Sequence, residues 1–145
     1  MAERPTFDEL YLDLALSIAR RSECERLSVG CVIASLDGRR VYGVGYNGQP
    51  SKSARRCRGA DAAPGSCGCV HAEANAIANA EMRRTDAKVV LVTTMPCAAC
   101  ATLLVNVGGV DRVLWDSEYR LGEGADILRE AGIDARNWRD GSKRC

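Results

Sequence analysis

The 145-residue sequence contains a single histidine, His71, and no apolar run near the ~18 residues that a membrane-spanning helix needs. Its first residues lack the apolar core that heads a secreted chain. Nor is there an internal repeat, a linker, or a surplus of one charge: 20 Lys and Arg stand against 19 Asp and Glu, a net charge of +1. Domains that hold long nucleic acids usually carry a basic excess, so a long polyanion is disfavoured as a partner while a small anion is not. The final Lys143-Arg144-Cys145 is not a prenylation box. A hydrophobic share of 46% and a charged share of 27% are those of an ordinary globular protein, which argues against disorder and fibrous structure. The length suits one domain spanning residues 1–145.

Cysteine is abundant. Eight cysteines (24, 31, 57, 67, 69, 97, 100 and 145) accompany the lone histidine. With no secretory signal the expected compartment is reducing, the cytoplasm, so metal ligation is a stronger reading of these thiols than a disulfide framework.

The order of elements follows from pattern. Thr6 and Glu9 have capping-box spacing, and Phe7, Leu10, Tyr11, Leu14 and Ile18 recur at helical intervals. Residues 29–35 and 41–44 are short, β-branched runs around Asp37-Gly38, which predicts a hairpin with a tight turn. From Tyr46 to Val70 the sequence dissolves into Gly, Pro, Ser and Arg, and a loop that long in a small domain is usually functional. Residues 71–82 are Ala-rich and predict a helix, 88–94 a strand, 96–107 a helix bounded by Pro96 and Gly108-Gly109. A strand at 110–115 and a helix at 124–130 complete the chain. The order α-β-β-α-β-α-β-α predicts an α/β fold, a mixed central sheet with helices on both faces.

Three segments can do chemistry together. His71, Cys97 and Cys100 offer one nitrogen and two sulfurs, a set that suits Zn²⁺ and leaves a fourth position open, as catalytic zinc sites do. Cys97 and Cys100 sit three residues apart at a helix start, where side chains share a face and the helix dipole favours thiolates. Two thiolates and a neutral imidazole cancel the ion's formal charge, so a nearby carboxylate is needed to take the proton from water. Glu73 lies two residues after His71 and can approach without ligating. That is hydrolytic chemistry on an amidine-like carbon. Plainer readings stand beside each residue: buried thiols and a packed histidine, Glu73 as a first-turn acid, Asn47 as a turn residue, Arg26 and Arg120 as solvated charges, Tyr119 and Cys31 as packing groups.

The pair His71-Ala72-Glu73 and Pro96-Cys97-Ala98-Ala99-Cys100 matches the signature of zinc nucleobase deaminases. Within that group the chain resembles the deoxycytidylate (dCMP) deaminases of the cytidine-deaminase-like α/β/α fold. The residues that carry the likeness are Arg21-Ser22, Cys24, Arg26 and Val29-Gly30; Gly45-Tyr46-Asn47-Gly48 and Pro50; Asn75-Ala76-Ile77; Tyr119; and Ala131-Gly132-Ile133. The resemblance spans about residues 6–138. It implies attack of zinc-activated water at C4 of dCMP, with Glu73 protonating N3 and ammonia leaving to give dUMP for thymidylate synthesis. It further implies that the Ala72 backbone holds the base carbonyl, Asn47 the base or sugar, and Arg26, Tyr119 and Arg120 the dianionic 5′-phosphate, which calls for charge-assisted hydrogen bonds. Family members are usually hexamers, activated by dCTP with Mg²⁺ and inhibited by dTTP.

The long loop departs from that family. Relatives follow Asn-Gly with a glycine and then a His-Cys pair, whereas this chain has Ser51-Lys52-Ser53-Ala54-Arg55-Arg56-Cys57, with arginine in place of the histidine. Control by dCTP and dTTP is therefore left open, though Arg55, Arg56 and Arg58 remain candidates for nucleotide phosphates. Some relatives also hold a second, structural zinc near Cys24 and Cys57. Here Cys67 or Cys69 can replace the absent histidine, giving Cys24, Cys57, Cys67 and Cys69 as a closed four-sulfur set that would pin the loop. Competing functions are deamination of cytidine, guanine, a tRNA adenosine, a riboflavin precursor or a modified dCMP, and a non-enzymatic zinc module. The module leaves Glu73 without a role.

Overall fold

The structure is a computed structural model that describes residues 3–119 and 121–141. Helix α1 (Phe7–Ala19) starts in the expected capping box: the Glu9 N–H donates to Thr6 Oγ1, and the Thr6 N–H donates to the Glu9 carboxylate. The bonds its carboxylate accepts from the Thr6 N–H and the Thr6 hydroxyl hold the Glu9 carboxyl below its ordinary pKa. Strands β1 (Gly30–Ser35) and β2 (Val41–Tyr46) form the antiparallel hairpin. Residues 36–40 close the turn through Gly38 N–H to Ser35 O and a carboxylate cap by Asp37. Then follow α2 (Ala72–Ala78), β3 (Lys88–Thr94), α3 (Ala98–Val107), β4 (Val110–Ser117), α4 (Glu123–Glu130), β5 (Asp134–Asn137) and a 3-10 turn, Trp138–Gly141.

The sheet order is β2-β1-β3-β4-β5. β1 runs antiparallel to β2 and β3, while β3, β4 and β5 are parallel, so the sheet is mixed as predicted. Alternation of side chains divides the core in two. Cys31, Ile33, Val90, Val92, Val113 and Trp115 face α2, α3 and α4, whereas Val32, Ala34, Val89, Leu91 and Leu114 face α1. Three layers result.

Two expectations need correction. The second helix ends at Ala78 rather than at residue 82, since the Ala80 N–H turns back to Ile77 O and the Glu81 N–H pairs with Tyr42 O, drawing the chain along the sheet. The chain also returns to the sheet after α4. Asp-Ala-Arg-Asn at 134–137 carries no apolar alternation, yet it pairs with β4 as an edge strand where only Ala135 need be buried.

The glycines of β2 set how close α2 lies. A Cβ on Gly45 would sit 2.3 Å from Ala76 N and 2.4 Å from Ala72 O, and one on Gly43 2.5 Å from Ala76 O. Gly45→Ala must push α2 off the sheet, at a cost of about 1–3 kcal/mol from overpacking. A lowered thermal midpoint together with weaker zinc retention is the expected outcome, checked by melting and metal analysis of one preparation.

Lys88 opens β3 fully buried. Its ammonium donates to the carbonyls of Arg83 (2.7 Å), Asp86 (2.6 Å), Gly108 (2.9 Å) and Arg84 (3.3 Å), gathering the turns before β3 and β4 around one charge. Burial pulls its pKa down. Lys88→Met strands those carbonyls, and a loss of about 3 kcal/mol, on the order of 10 °C in melting temperature, is expected by calorimetry.

Candidate active site

The parallel strands β3 and β4 end at Thr94 and Ser117, beside the N-termini of α2 and α3. Crevices at the carboxyl ends of strands are where open α/β sheets build their sites. His71 is the N-cap of α2 and Cys97 the N-cap of α3, both in extended backbone, and Cys100 lies in the first turn of α3. The pairing of Gly48 with Val70 brings the chain to His71. Asn75 and Asn79 then staple α2 to β2, donating to the carbonyls of Tyr46 (2.8 Å) and Val44 (3.0 Å) on that edge strand. At α3 the close approach is Gly124, where a Cβ would meet Pro96 O at 1.9 Å.

The structure brings His71, Cys97 and Cys100 together. His71 Nδ1 lies 3.5 Å from Cys97 Sγ and 3.3 Å from Cys100 Sγ. A tetrahedral zinc with bonds of about 2.3 Å to sulfur and about 2.05 Å to nitrogen holds those atoms ~3.6 Å apart. The donor set therefore fits the ion through Nδ1. Without a metal the thiol protons are unevenly held. Hydrogen bonds from Cys100 and then from His71 drop Cys97 to about 3, and the bond to Cys97 together with burial pushes Cys100 far up. The same thiolate raises His71.

Glu73, in the first turn of α2, is 4% exposed. Burial raises its pKa, opposed by hydrogen bonds from its own backbone N–H and from Cys100 and by the charge of His71. A carboxyl poised in that way can hold and release a proton beside a ligand set it does not join.

His71, Cys97 and Glu73 open into a cavity of about 620 Å³. Ala72, Asn47, Arg26 and Tyr119 also line it. The N–H of Ala72, as a first-turn group, has no intrahelical partner. Asn47 is buried and spends its amide on the backbone: Oδ1 accepts from Val29 N–H (2.8 Å) and Nδ2 donates to Leu27 O (2.6 Å). One of its amide hydrogens remains beyond those two bonds. Arg26 donates from Nη1 to Ala63 O (3.0 Å), and Tyr119 is partly buried against the core. Arg120 and Cys145 lie outside the described residues.

Sequence reasoning missed Glu118, also on the cavity wall, whose Oε1 accepts from the Trp115 indole (3.0 Å) and the Asn137 amide (3.3 Å). An acid in an irregular stretch gives no signal, because β5, which supplies Asn137, was itself hidden. Asn75 and Asn79 were legible in principle, being the polar i, i+4 pair of an otherwise Ala-rich helix.

A second cluster is formed by Cys24, Cys57, Cys67 and Cys69, whose sulfurs all lie within 4.8 Å of one another. Cys24 Sγ is 4.0 Å from Cys57 Sγ and 3.9 Å from Cys67 Sγ, against ~3.8 Å for two sulfurs on one tetrahedral zinc. The backbone N–H groups of Glu25 and Gly59 lower the Cys57 thiol to about 7, and burial raises Cys69.

Residues 5–116 match the family model for the cytidine and deoxycytidylate deaminase zinc-binding region. A deoxycytidylate deaminase of Mycobacterium phage D29 is 39% identical over 128 residues, covering 79% of this chain and 98% of the phage protein. The Saccharomyces cerevisiae deoxycytidylate deaminase is 34% identical over 93% of this chain, which spans only 46% of that longer protein. Among solved structures, the dCMP deaminase of cyanophage S-TIM5 in complex with dCMP and dUMP superposes with a TM-score of 0.77 at 27% identity, over 93% of this chain and 99% of that one. Ligand spacing, a free buried acid and these likenesses agree: the chain belongs to the cytidine and deoxycytidylate deaminase zinc-binding family.

Proposed function

We propose that the protein hydrolyses dCMP to dUMP and ammonia, supplying dUMP for thymidylate synthesis. The observation that carries this reading is Glu73, a buried carboxyl with a raised pKa beside a one-nitrogen, two-sulfur set at zinc spacing. The substrate class comes from likeness to the phage D29 and cyanophage dCMP deaminases. His71, Cys97 and Cys100 would hold a zinc ion, which when bound would supply Lewis-acid activation of water. Glu73 takes a proton from that water and delivers it to N3, so the new bond is C4–O. It then passes the second proton to the exocyclic amine, the C4–N bond breaks, and ammonia leaves. The Ala72 N–H donates to the base carbonyl. Asn47 uses its remaining amide hydrogen on the base or sugar, and its backbone bonds fix that group in place. Arg26, Tyr119 and Arg120 receive the 5′-phosphate. Arg26 is already oriented by Ala63 O, which lowers the cost of ordering it.

The same reading assigns a structural zinc to Cys24, Cys57, Cys67 and Cys69, supported by their spacing. A hexamer, activation by dCTP with Mg²⁺, inhibition by dTTP and a cytoplasmic location rest on the family likeness. Among the described residues no helix is long and apolar enough to cross a membrane. Ammonia release from a panel of cytosine, cytidine, deoxycytidine, dCMP and dCTP tests the substrate. dCMP should lead by at least 10²-fold in kcat/KM, the order expected when a charged pair is made or lost. Preference for an unphosphorylated nucleoside would reject it.

A further inference from the structure

Three of the four residues in the second cysteine cluster, Cys24, Cys67 and Cys69, line the same cavity as His71 and Glu73. Cys57 does not. The two ligand sets are also joined through the chain, since only Val70 separates Cys69 from His71. On the other side, Cys24 precedes Arg26 by two residues. The Arg26 guanidinium reaches over to Ala63 O, next to Pro64 and Gly65, which form part of the cavity wall.

Little else holds this wall. Between β2 and α2 there is no helix or strand. Its backbone bonds are the Gly48–Val70 bridge, Arg58 N–H to Cys67 O (2.9 Å) and short local turns, with Arg58 Nη1 on Ser66 O (3.3 Å). Pro64, Gly65 and Gly68 are exposed, so packing does not fix them. Cross-linking positions 24, 57, 67 and 69 through one ion closes several loops at once, and such closure removes much of the freedom of the enclosed chain.

We propose that the four-sulfur site is the positioning element of the phosphate end of the substrate cavity: metal bound there sets Arg26 and the 63–69 wall. This rests on the dCMP reading and on the second zinc assigned above. Loss of that ion leaves the sheet, α3 and the Cys97–Cys100 pair in place, because none of them is built from this loop. It releases Arg26 and the wall. The consequence is selective. Binding of the monophosphate weakens, while binding of the nucleoside, which has no phosphate for Arg26, does not.

The test compares zinc per chain, by native mass spectrometry, with calorimetric affinity for dCMP and for deoxycytidine. It uses the Glu73→Gln background so that ligands are not consumed. The parent should hold two zinc ions and prefer dCMP. Adding Cys57→Ser should leave one zinc, weaken dCMP about tenfold or more and change deoxycytidine less than about twofold. Cys57→His, which can still ligate, should restore both the ion and the preference. Two ions in the parent, one in Cys57→Ser and unchanged dCMP affinity would overturn the coupling while leaving the zinc assignment standing. A single ion in the parent removes the second zinc, and a parent with no preference for dCMP removes the substrate reading; either takes this proposal with it. Should Cys57→Ser not fold, graded chelation of the parent to its one-zinc form yields the same comparison.

Discussion

Glu73→Gln should lower kcat for dCMP by about 10²–10⁴-fold or more, the range for removing a positioned acid–base group, while the metal-free protein becomes more stable at neutral pH. Both effects have one cause. The carboxyl is buried, and burial raises its pKa above that of the unfolded chain. A group raised in this way binds more protons folded than unfolded across the window between the two values. Stability therefore falls as pH rises through that window, and the penalty is in full force once the folded carboxyl is ionised. Glutamine keeps the shape and has no proton to lose. The variant's advantage should be largest at neutral pH and close as pH drops below the ordinary carboxylate range. Thermal melts of chelator-treated wild type and variant across pH check this directly. A variant less stable at every pH would mean that the carboxylate is a structural partner and not a strained functional group. Dissociation of the two readouts, activity down and stability up, is what a purely packing role for Glu73 would not produce.

The second large effect is at the metal. Cys100→Ser should remove the catalytic zinc and with it essentially all turnover, and Cys97→Ser should do the same, because neither hydroxyl replaces a thiolate ligand at neutral pH. Metal analysis should show one ion fewer per chain than in wild type. The ion also competes with protons. Without it, Cys97 is the thiolate of the pair, Cys100 holds its proton and His71 is raised. Binding zinc must therefore displace the Cys100 proton, and below the raised His71 pKa a second from the ring. Affinity should fall about tenfold per pH unit for each proton displaced, with the slope steepening from one proton to two as His71 becomes protonated. Competition with a chromophoric chelator over pH 5–8 measures that slope. A pH-independent affinity would contradict the proton inventory of the site.

The parts of the molecule that were readable beforehand are those where one residue type has one physical use. The Thr6–Glu9 box, the β-branched runs at 29–35 and 88–94, and the span from Pro96 to Gly108 declared their elements through local chemistry. His71, Cys97 and Cys100 were readable because that set of side chains at those positions has few uses besides metal. What stayed hidden depends on contacts between distant segments. β5 exists because the parallel edge of β4 accepts it, and no property of Asp-Ala-Arg-Asn announces a strand. α2 stops at Ala78 because Glu81 finds Tyr42. Lys88 opens the expected strand, but its burial among carbonyls from two turns depends on segments distant in sequence. The close approach of α2 at Gly43 and Gly45 is likewise a property of helix and strand together. The cavity wall is a mixed case: the need to pin residues 46–70 was evident from composition, but the adjacency of Cys24, Cys67 and Cys69 to the catalytic cavity was not.

Anomalous diffraction at the zinc edge, from crystals of the zinc-loaded wild-type protein, locates the ion relative to its three ligands and to Glu73. A peak is expected about 2.0–2.1 Å from His71 Nδ1 and about 2.3 Å from the sulfurs of Cys97 and Cys100, with the Glu73 carboxylate beside the ion but not bonded to it. No peak among those three atoms, or Glu73 as the fourth ligand, would contradict the proposed chemistry.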